Sequence, residues 1–88
     1  MTTPKGYVQI TGLSTAKTVG PFPPGHSKAV IVPETQNVRW RDDGTDPTAS
    51  VGMLLAAGDA LHYDGNLSAL KFIEVTASAK LNVTFYSS

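Results

Sequence analysis

Lys80-Leu81-Asn82-Val83-Thr84-Phe85-Tyr86 alternates apolar and polar residues without a break. A period of two puts Leu81, Val83 and Phe85 on one face of an extended strand. Lys80, Asn82, Thr84 and Tyr86 fall on the other. A strand with one apolar face needs a core to cover it, so this segment predicts a half-buried β-strand. Phe85 is assigned to the core and Tyr86 to a rim contact, where a phenol keeps its hydroxyl wet.

Reading backwards from that strand, the same chemistry recurs. Residues 67–74 carry Leu70 and Phe72 on one face and Lys71 and Ile73 on the other, and the small polar residues 76–79 form a loop. Asp64-Gly65 is a turn signal. Leu61 and Tyr63 alternate with Ala60 and His62, and Ala57-Gly58-Asp59 turns the chain before them. Residues 49–55 read as a strand with Val51, Met53 and Leu55 on one face. A helix competes only over 51–61, and Gly52 and Gly58 weaken it. Asp42-Asp43-Gly44 is a further turn, and Val38-Arg39-Trp40-Arg41 alternates apolar with charged residues. Residues 28–33 (KAVIVP) form a short apolar run, the pattern of a strand buried on both faces. Strands spaced roughly 8–12 residues apart with turn chemistry between them predict an all-β fold. The expected form is a small antiparallel β-sandwich or barrel, jelly-roll-like.

The first 25 residues are less regular. Tyr7, Val8 and Ile10 lie in a β-prone stretch that Gly12 ends, and residues 16–19 form a second short strand. Pro21-Phe22-Pro23-Pro24-Gly25 cannot sit in a sheet centre, because proline donates no ladder hydrogen bond. It reads as an extended, Pro-rich N-terminal arm ending in a turn. The expected organisation is one domain, with residues 1–25 as strand and arm and 26–88 as the sandwich.

Composition narrows function. The chain has 88 residues, and its seven Lys and Arg balance seven Asp and Glu. Chains that grip nucleic-acid phosphates normally carry a basic excess, so no nucleic-acid partner is expected. Charged residues make up only 16%, against about 25% in an average chain. Low charge with zero net charge favours association. Cysteine is absent, which fits a reducing compartment and removes disulfide staples. The apolar runs are too short to span a membrane, and no signal core follows Lys5. A domain this small buries only about 60–65% of its unfolded surface. Association is then a natural further source of stability.

Motifs of turnover are missing. His26 and His62 lie far apart in sequence, and a zinc site needs clustered ligands, so no metal or cofactor is expected. Asp42, Asp43 and Asp46 crowd one loop around Gly44, but the spacing lacks the closing Glu of a calcium loop. Arg39 and Arg41 are positioned to neutralise these carboxylates in a charged hairpin turn. No Gly-x-Ser-x-Gly elbow occurs, and two glycosylation sequons, at Asn66 and Asn82, carry no weight without a signal peptide. Trp40 is the only tryptophan. It reads as a core or subunit-contact anchor, with a sugar platform as the sharper alternative. The expected catalytic set is empty, and the expected contact residues are Phe22, Arg39, Trp40, Arg41 and Tyr86.

Val38-Arg39-Trp40-Arg41-Asp42-Asp43-Gly44, then Pro47-Thr48, Gly52, Ala57-Gly58-Asp59 and the closing Leu81-Asn82-Val83-Thr84-Phe85-Tyr86 share their order with a group of small virion proteins of tailed bacteriophages. Over roughly residues 29–86 the chain resembles capsid decoration or cement proteins. That resemblance implies a non-enzymatic β-sandwich on the phage head that bridges capsid subunits. Its implied partners are the major capsid protein or another virion protein and further copies of itself, as a dimer or trimer. The implied location is the virion, after synthesis in the host cytoplasm. Two other classes compete. One is a tail or fibre-tip module that reads a surface carbohydrate through Trp40, Tyr63 or Tyr86. The other is a small cupin-like enzyme, suggested by Gly52, Ala57-Gly58-Asp59 and His62.

Overall fold

A computed structural model describes residues 3–20, 22 and 24–87. Eight strands follow in chain order: β1 (Thr3–Ile10), β2 (Lys17–Thr18), β3 (Lys28–Glu34), β4 (Val38–Arg41), β5 (Met53–Leu55), β6 (Leu61–Tyr63), β7 (Lys71–Glu74) and β8 (Lys80–Ser87). One 3-10 turn, Leu67–Ala69, precedes β7. The strands form two sheets, β1-β8-β3-β6 and β2-β7-β4-β5, and every pairing is antiparallel. Strand partners β1 with β8, β2 with β7, β3 with β6 and β4 with β5 are what one long hairpin, folded over on itself, produces. That is the eight-stranded jelly roll.

Alternation explains the sandwich. Along β8, Leu81, Val83 and Phe85 are buried, and between them Lys80, Asn82 and Thr84 are not. Leu70 and Phe72 close the same core from the second sheet, joined by Val38 and Leu55. The run 28–33, expected to be buried on both faces, alternates instead. Ala29, Ile31 and Pro33 point inward, while Val30 and Val32 are half-buried on the outer face. A sandwich has only one dry side per sheet, so a central strand here is covered once.

The N-terminal residues belong to the same core. β1 pairs along its length with β8, with a register shift between Pro4 and Gly6. Ile10, Leu13 and Val19 are buried in the same cluster as residues 29–85. The Pro-rich stretch is the connection from β2 to β3. Of the arm read from sequence, Pro21 and Pro23 lie outside the described residues. Phe22 is half-buried against the core, stacked on His26 at 5.1 Å and edge-on to Phe85 at 6.0 Å.

The segment 49–55 departs most from expectation. Only Met53–Leu55 is strand. Thr48 and Val51 close a tight turn, Thr48 N donating to Val51 O at 2.9 Å and Val51 N donating to Thr48 O at 3.3 Å. Of the face Val51, Met53 and Leu55, only Leu55 is buried. The cause is position: β5 ends its sheet, so beyond Val38 and Leu55 nothing closes over Met53.

Candidate functional site

The surface that stands out lies along β4 and β5. The exposed large hydrophobics among the described residues are Tyr7, Val51, Met53 and Leu54. Three of the four fall within four consecutive positions. Val51 is 54% exposed, Met53 60% and Leu54 55%. The β4–β5 register sets Met53 beside Trp40 and Leu54 beside Arg39. A hollow lined by Trp40, Arg41, Asp43, Val51 and Met53 adjoins this edge.

Arg39 builds the edge. Its guanidinium does not meet the loop aspartates, as the sequence suggested. Nε donates to the Ala49 carbonyl at 3.1 Å and Nη1 to the Gly52 carbonyl at 3.0 Å. A planar fork reaching two carbonyls ties the turn to the strand below it. Gly52 is required at the crossing. Its φ is +145°, and a Cβ would stand 3.1 Å from the Arg39 Cβ and 3.3 Å from the Trp40 carbonyl oxygen. A side chain would press on both neighbours and be strained at this positive φ.

The three aspartates separate instead of gathering. Asp43 pairs with Arg41, whose Nε donates at 3.0 Å. That hydrogen bond, more than anything else, holds the Asp43 carboxyl below its ordinary range and raises Arg41. Asp46 takes Lys71 Nζ at 2.7 Å. Asp42 accepts the Tyr63 hydroxyl at 2.6 Å. Among the described residues, no group of three or more His, Asp or Glu is placed to hold a metal ion.

Tyr63 is a clamp between the sheets. It sits on β6 of the first sheet, and its ring meets Trp40 of the second edge-on, 6.1 Å apart. Burial, followed by the Asp42 carboxylate, pushes its hydroxyl up to about 12. Gly65 leaves it room, since a Cβ there would come within 2.7 Å of the Tyr63 oxygen. Trp40 is thereby half-buried against the core from one side and borders the hollow from the other.

The expected contact residues thus divide. Arg39, Trp40 and Arg41 come together on β4. Phe22 borders a separate hollow with His26 and Leu67, and Tyr86 borders another with Lys28, His62, Tyr63 and Asp64. His26 and His62 stand in these two different places. Sequence reasoning put Val51 and Met53 on one strand face with Leu55 and singled out none of Val51, Met53 and Leu54 as surface residues. The available signal was the uncharged run from 47 to 58, too long for a three-residue strand. Compared with protein-family models, curated proteins and solved structures, the chain matches none.

Proposed function

We propose that this protein acts by contact and not by turnover, as a decoration or cement subunit on the shell of a tailed phage head. The single observation that carries the reading is the apolar edge formed by Val51, Met53 and Leu54 beside Trp40. Concentrated apolar exposure of this kind marks interaction surfaces. A jelly roll suits the task because its paired sheets hold an edge rigid, and jelly rolls occur in capsid proteins. The fold by itself assigns no function, so the resemblance over residues 29–86 supplies the partner: the major capsid protein or another virion protein. No catalytic step and no cofactor enter this reading. The test mixes purified protein with undecorated shells and measures co-sedimentation and the heat resistance of the shells. Saturable binding that raises the temperature of shell rupture supports the reading, and no binding at any ratio sinks it.

A carbohydrate reader is the second reading. It rests on the hollow where Tyr63 and Tyr86 stand with Lys28, His62 and Asp64, since aromatic faces among polar groups suit sugars. Amide shifts confined to these residues on titration with host surface glycans would favour it.

A further inference from the structure

We propose that the β5 edge is a self-pairing surface, joined antiparallel to β5 of a second copy across a two-fold axis near Leu54. The inference rests on the reading of the chain as an assembling subunit; it gives this edge to the contact between subunits and leaves the shell contact to another face of the pair. The four sheet ends are treated differently by the sequence. β1 carries Pro4 and Lys5 and a register shift between Pro4 and Gly6. β2 is two residues long and includes Lys17. β6 is three residues long, carries His62 and is bracketed by Asp59 and Asp64. Proline, charge, irregularity and shortness are the devices that keep edges from pairing. β5 shares only the shortness. No charged residue occurs from 47 to 58, and both faces of the strand carry exposed apolar side chains.

The absence of charge suits a second copy as the partner. A two-fold contact sets each residue against itself or a near neighbour, so any charge on the strand would face its own sign. An uncharged apolar strand meets its copy without that opposition. A differently charged partner, by contrast, would find nothing on β5 to pair with. The whole chain also carries zero net charge, so two copies approach without net repulsion. With the axis at Leu54, Met53 lies opposite Leu55 of the other copy, and the β2-β7-β4-β5 sheet becomes continuous through two molecules. A standard interface covers about 800 Å² per partner, roughly a sixth of this chain's 4715 Å². Three side chains are too few for that. The flanking hollow at Trp40, where Arg41 and Asp43 neutralise each other, therefore belongs to the contact.

The test is the mass of the full-length protein in solution, measured by sedimentation. The wild-type chain is expected at twice the monomer mass. Leu54→Lys and Leu54→Glu, each at an exposed position, are expected to fold with an unchanged far-ultraviolet spectrum and to sediment as monomers. An equimolar mixture of the two is expected to recover the doubled mass, because the axis sets Lys against Glu. Tyr7→Lys, exposed on the opposite edge, is expected to keep the doubled mass. A monomeric wild type overturns the inference. So does a doubled mass that survives both Leu54 variants, or a mixture that stays monomeric. A dimer that behaves as expected but binds no shell leaves this inference standing and removes the cement reading.

Discussion

The two sheets of this sandwich are held in different ways. The first is built mainly from long strands, eight residues in β1 and β8 and seven in β3, with the three-residue β6 at its end. Its outer face carries its own polar lattice. Asn82 accepts from Gln9 at 3.0 Å and from the Tyr7 hydroxyl, and donates to Glu34 at 2.9 Å. The second sheet has strands of two, four, three and four residues. Such short ladders do not fix an edge, and side chains supply what the backbone lacks. Arg39 ties the 49–52 turn, and Asn37 Oδ1 accepts from Ala57 N at 2.9 Å just beyond β5. A jelly roll can thus carry one sheet held mainly by long ladders and one that is short and tethered by side chains. The tethered one bears the surface proposed for function.

The strongest challenge to this contrast is at the shared core. Phe85 lies in the first sheet and Phe72 in the second, both essentially inaccessible. Truncating either to Ala is expected to cost about 3–5 kcal/mol. Denaturant unfolding followed by Trp40 fluorescence and by far-ultraviolet dichroism should shift together in both variants. If Phe72→Ala loosened only the second sheet, the two probes would separate, and the sheets would be independent units.

Arg39→Met keeps the aliphatic stem and removes both donors. Hydrogen bonds to a charged group contribute about 1.5–3 kcal/mol, so a loss toward the lower end of that range is expected at this half-exposed site. Hydrogen exchange should quicken at residues 49–54 and stay unchanged in β1 and β8. Uniform quickening would mean that the tether is not local to the second sheet.

Gly65→Ala tests the clamp between the sheets. The added methyl must displace the Tyr63 ring, and overpacking of this kind costs about 1–3 kcal/mol. Loss of the Asp42 contact should accompany it, read as a fall in the Tyr63 titration point. Unchanged stability would show that Tyr63 moves freely and clamps nothing.

The clamp also predicts a pH dependence. Tyr63 holds its proton up to about 12 in the folded state, against about 10 for a free tyrosine. Between those values the folded chain binds more protons than the unfolded one. Stability from this group is therefore complete below about 10 and lost as pH rises toward 12. Asp42→Asn should lower the titration point only in part, because burial is the larger cause. A full return to the ordinary value would reverse that ranking. The smallest effect is expected at Asp43→Asn. Its pair with Arg41 is open to solvent, and exposed pairs contribute little, so the melting temperature should hardly move.

Much of the regular sheet was legible in the sequence. Leu81, Val83 and Phe85 were assigned inward and Leu70 and Phe72 to one shared face by alternation, and all are buried. The turns at Asp43-Gly44, Gly58 and Gly65 also stand between elements as expected. The candidate surface was not legible. Val51, Met53 and Leu55 have the same period as a covered strand; Arg39, Trp40 and Arg41 were named as contact residues, but the exposed apolar side chains beside them were not.

Period-two patterning is a local property, set by where successive side chains point. The sequence by itself therefore determined that this chain is all-β and which side chains share a face of each regular strand. Strand order is non-local. It depends on β8 inserting between β1 and β3, and β7 between β2 and β4, across most of the chain's length. In the resulting order β5 pairs only with β4, Met53 and Leu54 stay uncovered, and Arg39 meets backbone carbonyls instead of aspartates. Neighbours brought from distant sequence decide burial and pairing, so only the tertiary structure could decide which apolar face would meet solvent.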